Sequence, residues 1–276
     1  MEIIGLFEML AGALSAAILI MLPIEIWRQR RTLNLAAWKE MAASSGVLLP
    51  ALAASGLVLG FITALFGIAD ALTPWRIPTT WWSAPLCLLL VDFLFYWDHR
   101  VAHRVRALWA VAHSVHHSSP RFDQTTGLRV SFVDGFTSPW FYLPAVLIGF
   151  DPLLVGAAFG VMLSYQQWLH TETIGRLGWF DQVFNSPANH RVHHGSQEIY
   201  LDKNYGGILI LWDRLFGTWE PEREQPVYGL TTPISSSHLW TVHTAEARSL
   251  WLDLKAARSW GDRMRLIIAP PGTVVP

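Results

Sequence analysis

His190-Arg191-Val192-His193-His194 is the stretch whose reading decides the fold. It repeats an earlier pattern, His113-Ser114-Val115-His116-His117, and His99 and His103 stand just upstream of that first copy. His170 lies alone between the two triplets. Nine of the eleven histidines belong to this set, which leaves out His238 and His243. On a helix, residues three and four apart share a face, so each triplet, and the pair His99 and His103, is expected to present its rings together. Successive helical residues point about 100° apart, so neighbours such as His116 and His117 can serve different centres.

The count sets the chemistry. One zinc takes three or four protein ligands, whereas two metals with four or five ligands each would use His99, His103, His113, His116, His117, His170, His190, His193 and His194. Imidazole suits zinc, copper, iron and nickel alike, so ligand type does not choose the metal. The Glu-x-x-His pairs of soluble di-iron bundles and the His-Glu-x-x-His of zinc peptidases are both absent from the sequence. A transporter would place its polar ligands at mid-membrane. Two competing readings are a metal-binding membrane protein without catalysis and a zinc hydrolase. Asp98 and Glu172, each close to a histidine, read either as salt-bridging carboxylates or as acceptors for a ligand N–H. Gln166, one turn before His170, reads as a supporting or packing residue. Asn185 and Asn189 read as caps of the triplet helix. His238 and His243 read as ordinary polar residues.

Composition places these histidines at a membrane. Of 276 residues, 52% are hydrophobic and only 15% charged, against about 25% charged in a soluble domain. Fifteen tryptophans suit membrane–water boundaries. The net charge of −1 gives no reason to expect nucleic acid, and the single cysteine, Cys87, forbids an internal disulfide. Glu2 and Glu8 flank or interrupt the first apolar run, and Arg28, Arg30 and Arg31 follow it. That order predicts an uncleaved anchor with its N-terminus outside.

Taken in order, residues 3–27 read as a first membrane helix and 28–41 as a polar loop. Residues 46–69 read as a second span, long enough for a bilayer core that needs about 20 residues. A connector with Trp75, Trp81 and Trp82 leads to a third apolar run at 83–97, interrupted by Asp92. Residues 136–150 and 153–169, broken by Asp151-Pro152, read as a short pair of arms that returns to the side it left. All nine histidines then converge on the cytoplasmic side. Residues 202–207 read as a turn-rich link. Residues 245–267 read as a helix that either lies on the membrane surface or packs amphipathically on a cap. The expected fold is all-α, an integral membrane protein with about four or five membrane helices and a cytoplasmic helical cap. Its expected parts are membrane helices and connector at 1–82, a catalytic domain at 83–220 and a cytoplasmic or membrane-surface segment at 221–276.

The boxes His99-x-x-x-His103, His113-x-x-His116-His117 and His190-x-x-His193-His194 resemble those of the fatty acid hydroxylase and sterol desaturase superfamily. The resemblance covers roughly residues 86–220. Asn185-Ser186-Pro187-Ala188-Asn189 before the last box, Asp202-Lys203-Asn204-Tyr205-Gly206-Gly207 after it, and the stretch 212–218 are most similar to the alkylglycerol monooxygenase branch. The resemblance implies a membrane enzyme with two non-haem irons that hydroxylates or desaturates a lipid with dioxygen, or cleaves an ether lipid. It implies the nine histidines as ligands and an external electron donor. That donor is tetrahydrobiopterin, as in the branch, or a separate reductase, ferredoxin or cytochrome partner, since the chain carries no dinucleotide fingerprint.

Overall fold

The computed structural model describes residues 2–275. Its elements are helical; among the described residues there is no strand, only isolated bridges between Phe184 and Leu209 and between Gly195 and Tyr228. α1 (Glu2–Ala16) and α2 (Ile18–Gln29) follow each other as one apolar rod of 28 residues. α3 (Leu35–Val47) and α4 (Leu49–Ala71) form a second rod of 37 residues. Both exceed the roughly 20 residues a bilayer core requires, and they are the two candidate membrane helices. Leu6, Met9, Leu19 and Ile20 on the first, and Leu52, Leu57, Leu59 and Ile68 on the second, stand exposed. Apolar surface on that scale marks contact with lipid or a partner.

The expected polar loop at 28–41 is largely helix. Asn34 accepts a hydrogen bond from the Ala37 amide at 2.9 Å and caps α3, so the loop shrinks to the few residues before it. Capping satisfies an amide that the first turn would otherwise leave free.

α5 (Ser83–Arg104) begins at the expected third run and continues without a break through His99 and His103. One face of α5, including Cys87, Val91 and Phe95, packs with Phe66, Tyr142, Leu154 and Met162 in the largest apolar core. Asp92, which interrupts the apolar pattern, is buried. It accepts from the Ile208 and Leu209 amides at 2.5 and 3.2 Å and from Trp212 Nε1 at 2.8 Å. It therefore ties the segment after the last histidine box to the middle of α5.

The arms expected at 136–150 and 153–169 differ from each other. The first is not one helix but a chain of short turns, Asp134–Thr137, Ser138–Tyr142 and Leu143–Leu147. Pro139 and Pro144 each lack the amide that a continuing helix needs. The second is a single helix, Pro152–Gln167, capped by Asp151 and packed against α1 and α5.

The expected helix at 245–267 is two, Leu239–Ala256 and Trp260–Ile268, the second capped by Ser259. Leu250, Ala257 and Leu266 bury themselves against Ala110, beside the first triplet. Packing on the site therefore accounts for the buried face, while Trp240, Trp251 and Trp260 point outward.

A candidate metal centre

Four pieces of chain converge on one point. α5 carries His99 and His103. The first triplet spans a π-helical turn, Trp109–His113, and the short helix Ser114–His117. Single-turn π segments are frequent at functional sites. His170 follows the Pro152–Gln167 helix. The last triplet sits on Pro187–His193 and the residue after it. That short helix is started by Ser186, whose side chain accepts from the Asn189 amide, with Pro187 in the first turn. Pro is preorganised there because its missing N–H is not needed. The expected caps, Asn185 and Asn189, do other work. Asn185 Nδ2 donates to the Gly206 carbonyl at 2.6 Å, and Asn189 Nδ2 donates to the Asp181 carbonyl at 3.0 Å.

All nine histidines singled out above meet here, in two adjoining sets. His99, His103, His113, His117 and His193 form one; His116, His170, His190 and His194 form the other. Within each set, one ring nitrogen per residue lies within 4.8 Å of every other. The sequence neighbours His116 and His117 fall in different sets, and so do His193 and His194. This is the result of their angular offset on a helix; the triplets do not each face a single centre. The sets touch where the His117 and His194 rings stack, 4.3 Å between centroids. His238 and His243 lie outside both sets.

The tautomers are fixed from behind. Nδ1 of His99 donates to the Tyr205 carbonyl at 2.8 Å and Nδ1 of His193 to the Lys203 carbonyl at 2.9 Å. Nδ1 of His116 donates to the Arg129 carbonyl at 3.2 Å and that of His170 to the Gln166 carbonyl at 3.1 Å. Each such bond leaves the Nε2 lone pair facing the cluster. The carboxylates flagged beside the boxes are not the acceptors. Asp98 accepts instead from Ser138 and Tyr142. Glu172 accepts from Gln225 and Tyr228. Gln166 serves through its backbone, while its side-chain amide points at Met162 Sδ, 2.9 Å away.

The link at 202–207 is built for this task. Asp202 and Asn204 adopt φ of 60° and 57°, a region that Asn and Asp tolerate better than most residues. The alternation aims the carbonyls of Lys203 and Tyr205 at two rings. Asp213 holds the turn by accepting from the Tyr205 and Gly206 amides at 2.8 and 2.7 Å. A Cβ at Gly206 would lie 2.5 Å from the Leu209 carbonyl oxygen, so only glycine fits that approach.

A metal suits these residues. Nε2 of His103, His117, His193 and His194 are buried with no hydrogen-bond partner among the described residues. Each orphaned polar atom costs about 1–3 kcal/mol, so a cation in each set would meet these four: three in the five-residue set and His194 in the other. Nε2 of His99 lies 3.0 Å from that of His113, and Nε2 of His170 lies 3.0 Å from that of His190. Ring nitrogens about 2.0–2.1 Å from one ion approach each other that closely. Burial, reinforced by neighbouring imidazoles, pushes His117, His190 and His194 well below the ordinary histidine range, and burial takes His116 down to about 4. Neutral imidazole is the form that binds metal.

The sign of the resulting pH dependence follows. A histidine lowered in the folded state takes up its proton first in the unfolded one. The metal-free protein is therefore expected to lose stability as pH falls from the ordinary 6.5 towards about 4. Above that window these rings add no pH dependence. Thermal unfolding of chelator-treated protein across the range checks it.

Two cavities reach the cluster. One, of about 360 Å³ and largely apolar, has His99, His113, His116 and His170 in its wall. The other, of about 480 Å³ and far more polar, has His103, His117, His193 and His194 in its wall. The two share no lining residue.

Comparison with known proteins places this centre. The fatty acid hydroxylase family model matches residues 84–218. Residues 84–218 are a fatty acid hydroxylase domain. Eight of the nine converging histidines fall on α5, the two triplets and their helices, and His170 completes the set, all inside that domain. Alkylglycerol monooxygenase of Xenopus tropicalis is 41% identical over 199 residues, 72% of this chain and 44% of the relative. The Homo sapiens protein of the same name is 42% identical over the same share of each. Ornithine lipid hydroxylase OlsE of Rhizobium tropici is 32% identical over 158 residues, 56% of this chain and 47% of that relative. The chain thus spans less than half the length of these relatives. No solved structure matches it.

Proposed function

We propose that this chain is a membrane-bound oxidoreductase that uses dioxygen to hydroxylate or desaturate a lipid, with ether-lipid oxidation the favoured variant. The nine histidines of the fatty acid hydroxylase domain hold two irons in this reading, five ligands on one and four on the other. The observation that carries it is the juxtaposition of two donor sets made only of imidazole with an apolar cavity that ends on four of their rings. The relatives named as monooxygenase and lipid hydroxylase support the lipid and the reaction class.

Bound iron would supply the oxidation of an unactivated C–H bond by dioxygen. The chain supplies the rest. Carbonyls of Tyr205, Lys203, Arg129 and Gln166 hold four rings in the liganding tautomer. Val58, Ile62, Phe141 and Phe159 line the apolar cavity; they would position an acyl or alkyl chain and keep water out. Electrons come from outside the chain, from a pterin such as tetrahydrobiopterin or from a reductase, ferredoxin or cytochrome partner. The polar cavity gives them access to the histidines in its wall.

In the membrane, α1–α2 and α3–α4 cross first, α5 makes a third crossing, and the segment 134–167 enters and returns. The excess of Arg28, Arg30, Arg31 and Lys39 over Arg76 supports a cytoplasmic side for the histidines. Residues 1–82 anchor, 83–220 catalyse and 221–276 cover the site.

Purified protein is expected to hold about two irons per chain, as di-iron enzymes do, and to consume oxygen only when lipid and a reductant are both present. Lipid mass spectrometry of host membranes with and without the gene would identify the product. Tight metal binding without oxygen uptake would favour a non-catalytic role, and activity with zinc alone would favour a hydrolase.

A further inference from the structure

The apolar cavity holds two carboxyl groups that its chemistry does not explain. Asp98 and Asp134 both line it, among Val58, Ile62, Phe141 and Phe159. Both are partly exposed, and both line that space. Asp98 uses one oxygen, Oδ2, to accept from Ser138 and Tyr142, and Asp134 uses Oδ2 to accept from the Ser131 amide at 3.2 Å. Among the described residues neither Oδ1 has a hydrogen-bond partner. Neither residue belongs to the two donor sets, so the carboxyls are not ligands of the centre.

Their place along the cavity is informative. Asp98 adjoins His99 in α5. Asp134 is tied to the first triplet, because Ser131 also donates to the Val111 carbonyl at 3.2 Å, next to the turn that ends in His113. The polar groups therefore gather at the histidine end. The wall also includes Leu163, itself 42% exposed on the Pro152–Gln167 helix, so the cavity reaches the surface there beside an apolar side chain.

Resting on the lipid-oxidation reading above, we infer that the substrate binds with a hydroxyl-bearing end held by Asp98 and Asp134 and its hydrocarbon tail directed out past Leu163. A lipid that fills this cavity displaces water from the two carboxyls, which is costly unless the lipid brings a donor in its place, and a bare hydrocarbon brings none. A hydroxyl is preferred to an ammonium because the neighbouring rings are arranged to hold cations, and like charges repel in such a site. The carbon presented to the histidines then lies near the polar end of the lipid. A lipid bound the other way round, for attack on the tail terminus, would leave both carboxyls unpaired.

The test is binding, which needs no turnover. Full-length protein in nanodiscs carries a fluorescent fatty alcohol, and hexadecanol, its methyl ether and hexadecylamine compete for the site. Hexadecanol is expected to displace the probe at a concentration about tenfold below that of the methyl ether, the loss typical of one hydrogen bond to a charged group. Asp134→Leu and Asp98→Leu should each reduce that preference to about twofold or less, with iron content retained as a check on folding. Equal displacement by the alcohol and its ether in the wild type would overturn the inference, whatever the variants do. So would a preference that survives both substitutions, or stronger displacement by the amine than by the alcohol. A clear preference without oxygen uptake would uphold this binding mode and count against the oxidative reading. Oxygen uptake without the preference would do the reverse.

Discussion

Iron content falls to one ion per chain or fewer, and lipid oxidation falls by more than about a hundredfold, when His113, His117, His190 or His194 is replaced by alanine. Loss of an outer partner alone commonly costs about 10–100-fold in metal affinity or activity, and loss of a ligand exceeds that. His113 and His117 belong to the five-residue set, His190 and His194 to the four-residue set. Because His117 stacks on His194 across the boundary, removing either ring also loosens the other set. The control is His243→Ala. That ring is also buried, but it hydrogen-bonds the Val47 carbonyl at 3.3 Å, packs near Phe132 and lies outside both sets. Its loss should leave iron content unchanged. Atomic emission and oxygen uptake on matched preparations read both effects. Full activity in any two of the four cluster variants would remove the basis for the proposed centre.

Glu40→Ala is expected to lower stability by about 3–5 kcal/mol, the usual cost of stranding a buried charge. Arg129 is fully buried. Its guanidinium donates to Ser44 Oγ at 2.9 Å, to Ser118 Oγ at 2.7 Å and to the Glu40 carboxylate. Among the described residues Glu40 is the carboxylate that ion-pairs with it, and Asp123 acts only from further away. The Arg129 carbonyl receives His116, so the variant should lose iron as well as thermal stability. Arg223→Ala, at an exposed pair with Glu220, should change the unfolding midpoint by no more than the equivalent of about 1 kcal/mol. Thermal unfolding in detergent, with iron analysis alongside, compares the two.

The nine converging histidines could be read from the sequence because they repeat at helical spacing, and because their number exceeds what one metal can use. Their division into two sets followed only in part. The angular offset of His116 from His117 predicts a split, but whether His99 and His103 join His113 or His116 depends on how α5 meets the π-helical turn. The acceptors behind the rings could not be read. They are backbone carbonyls, which every residue has, so Tyr205 and Lys203 carry no side-chain signal for the role. What the sequence does carry there is indirect: Asp202 and Asn204 at positions that need positive φ, and the paired glycines that follow. For Asp98 and Glu172 adjacency to a histidine left two roles open, and the fold turns each towards other partners, Asp98 to Ser138 and Tyr142 and Glu172 to Gln225 and Tyr228. Pro139 and Pro144 already forbid one continuous helix over 136–150, whereas Pro152 sits in the first turn of the arm after it, where proline is tolerated. The helical rod over residues 35–71 extends beyond its apolar run because Asn34 supplies the cap that starts it.

The separate linings of the two cavities have a kinetic consequence for the proposed reaction. A lipid in one and a soluble reductant in the other would not compete for space, and neither would have to leave before the other arrives. Steady-state rates measured against both should give intersecting double-reciprocal lines, with each reactant's apparent affinity set independently of the other's bulk. An enlarged lipid headgroup would then slow the enzyme without changing how well it takes up reducing equivalents.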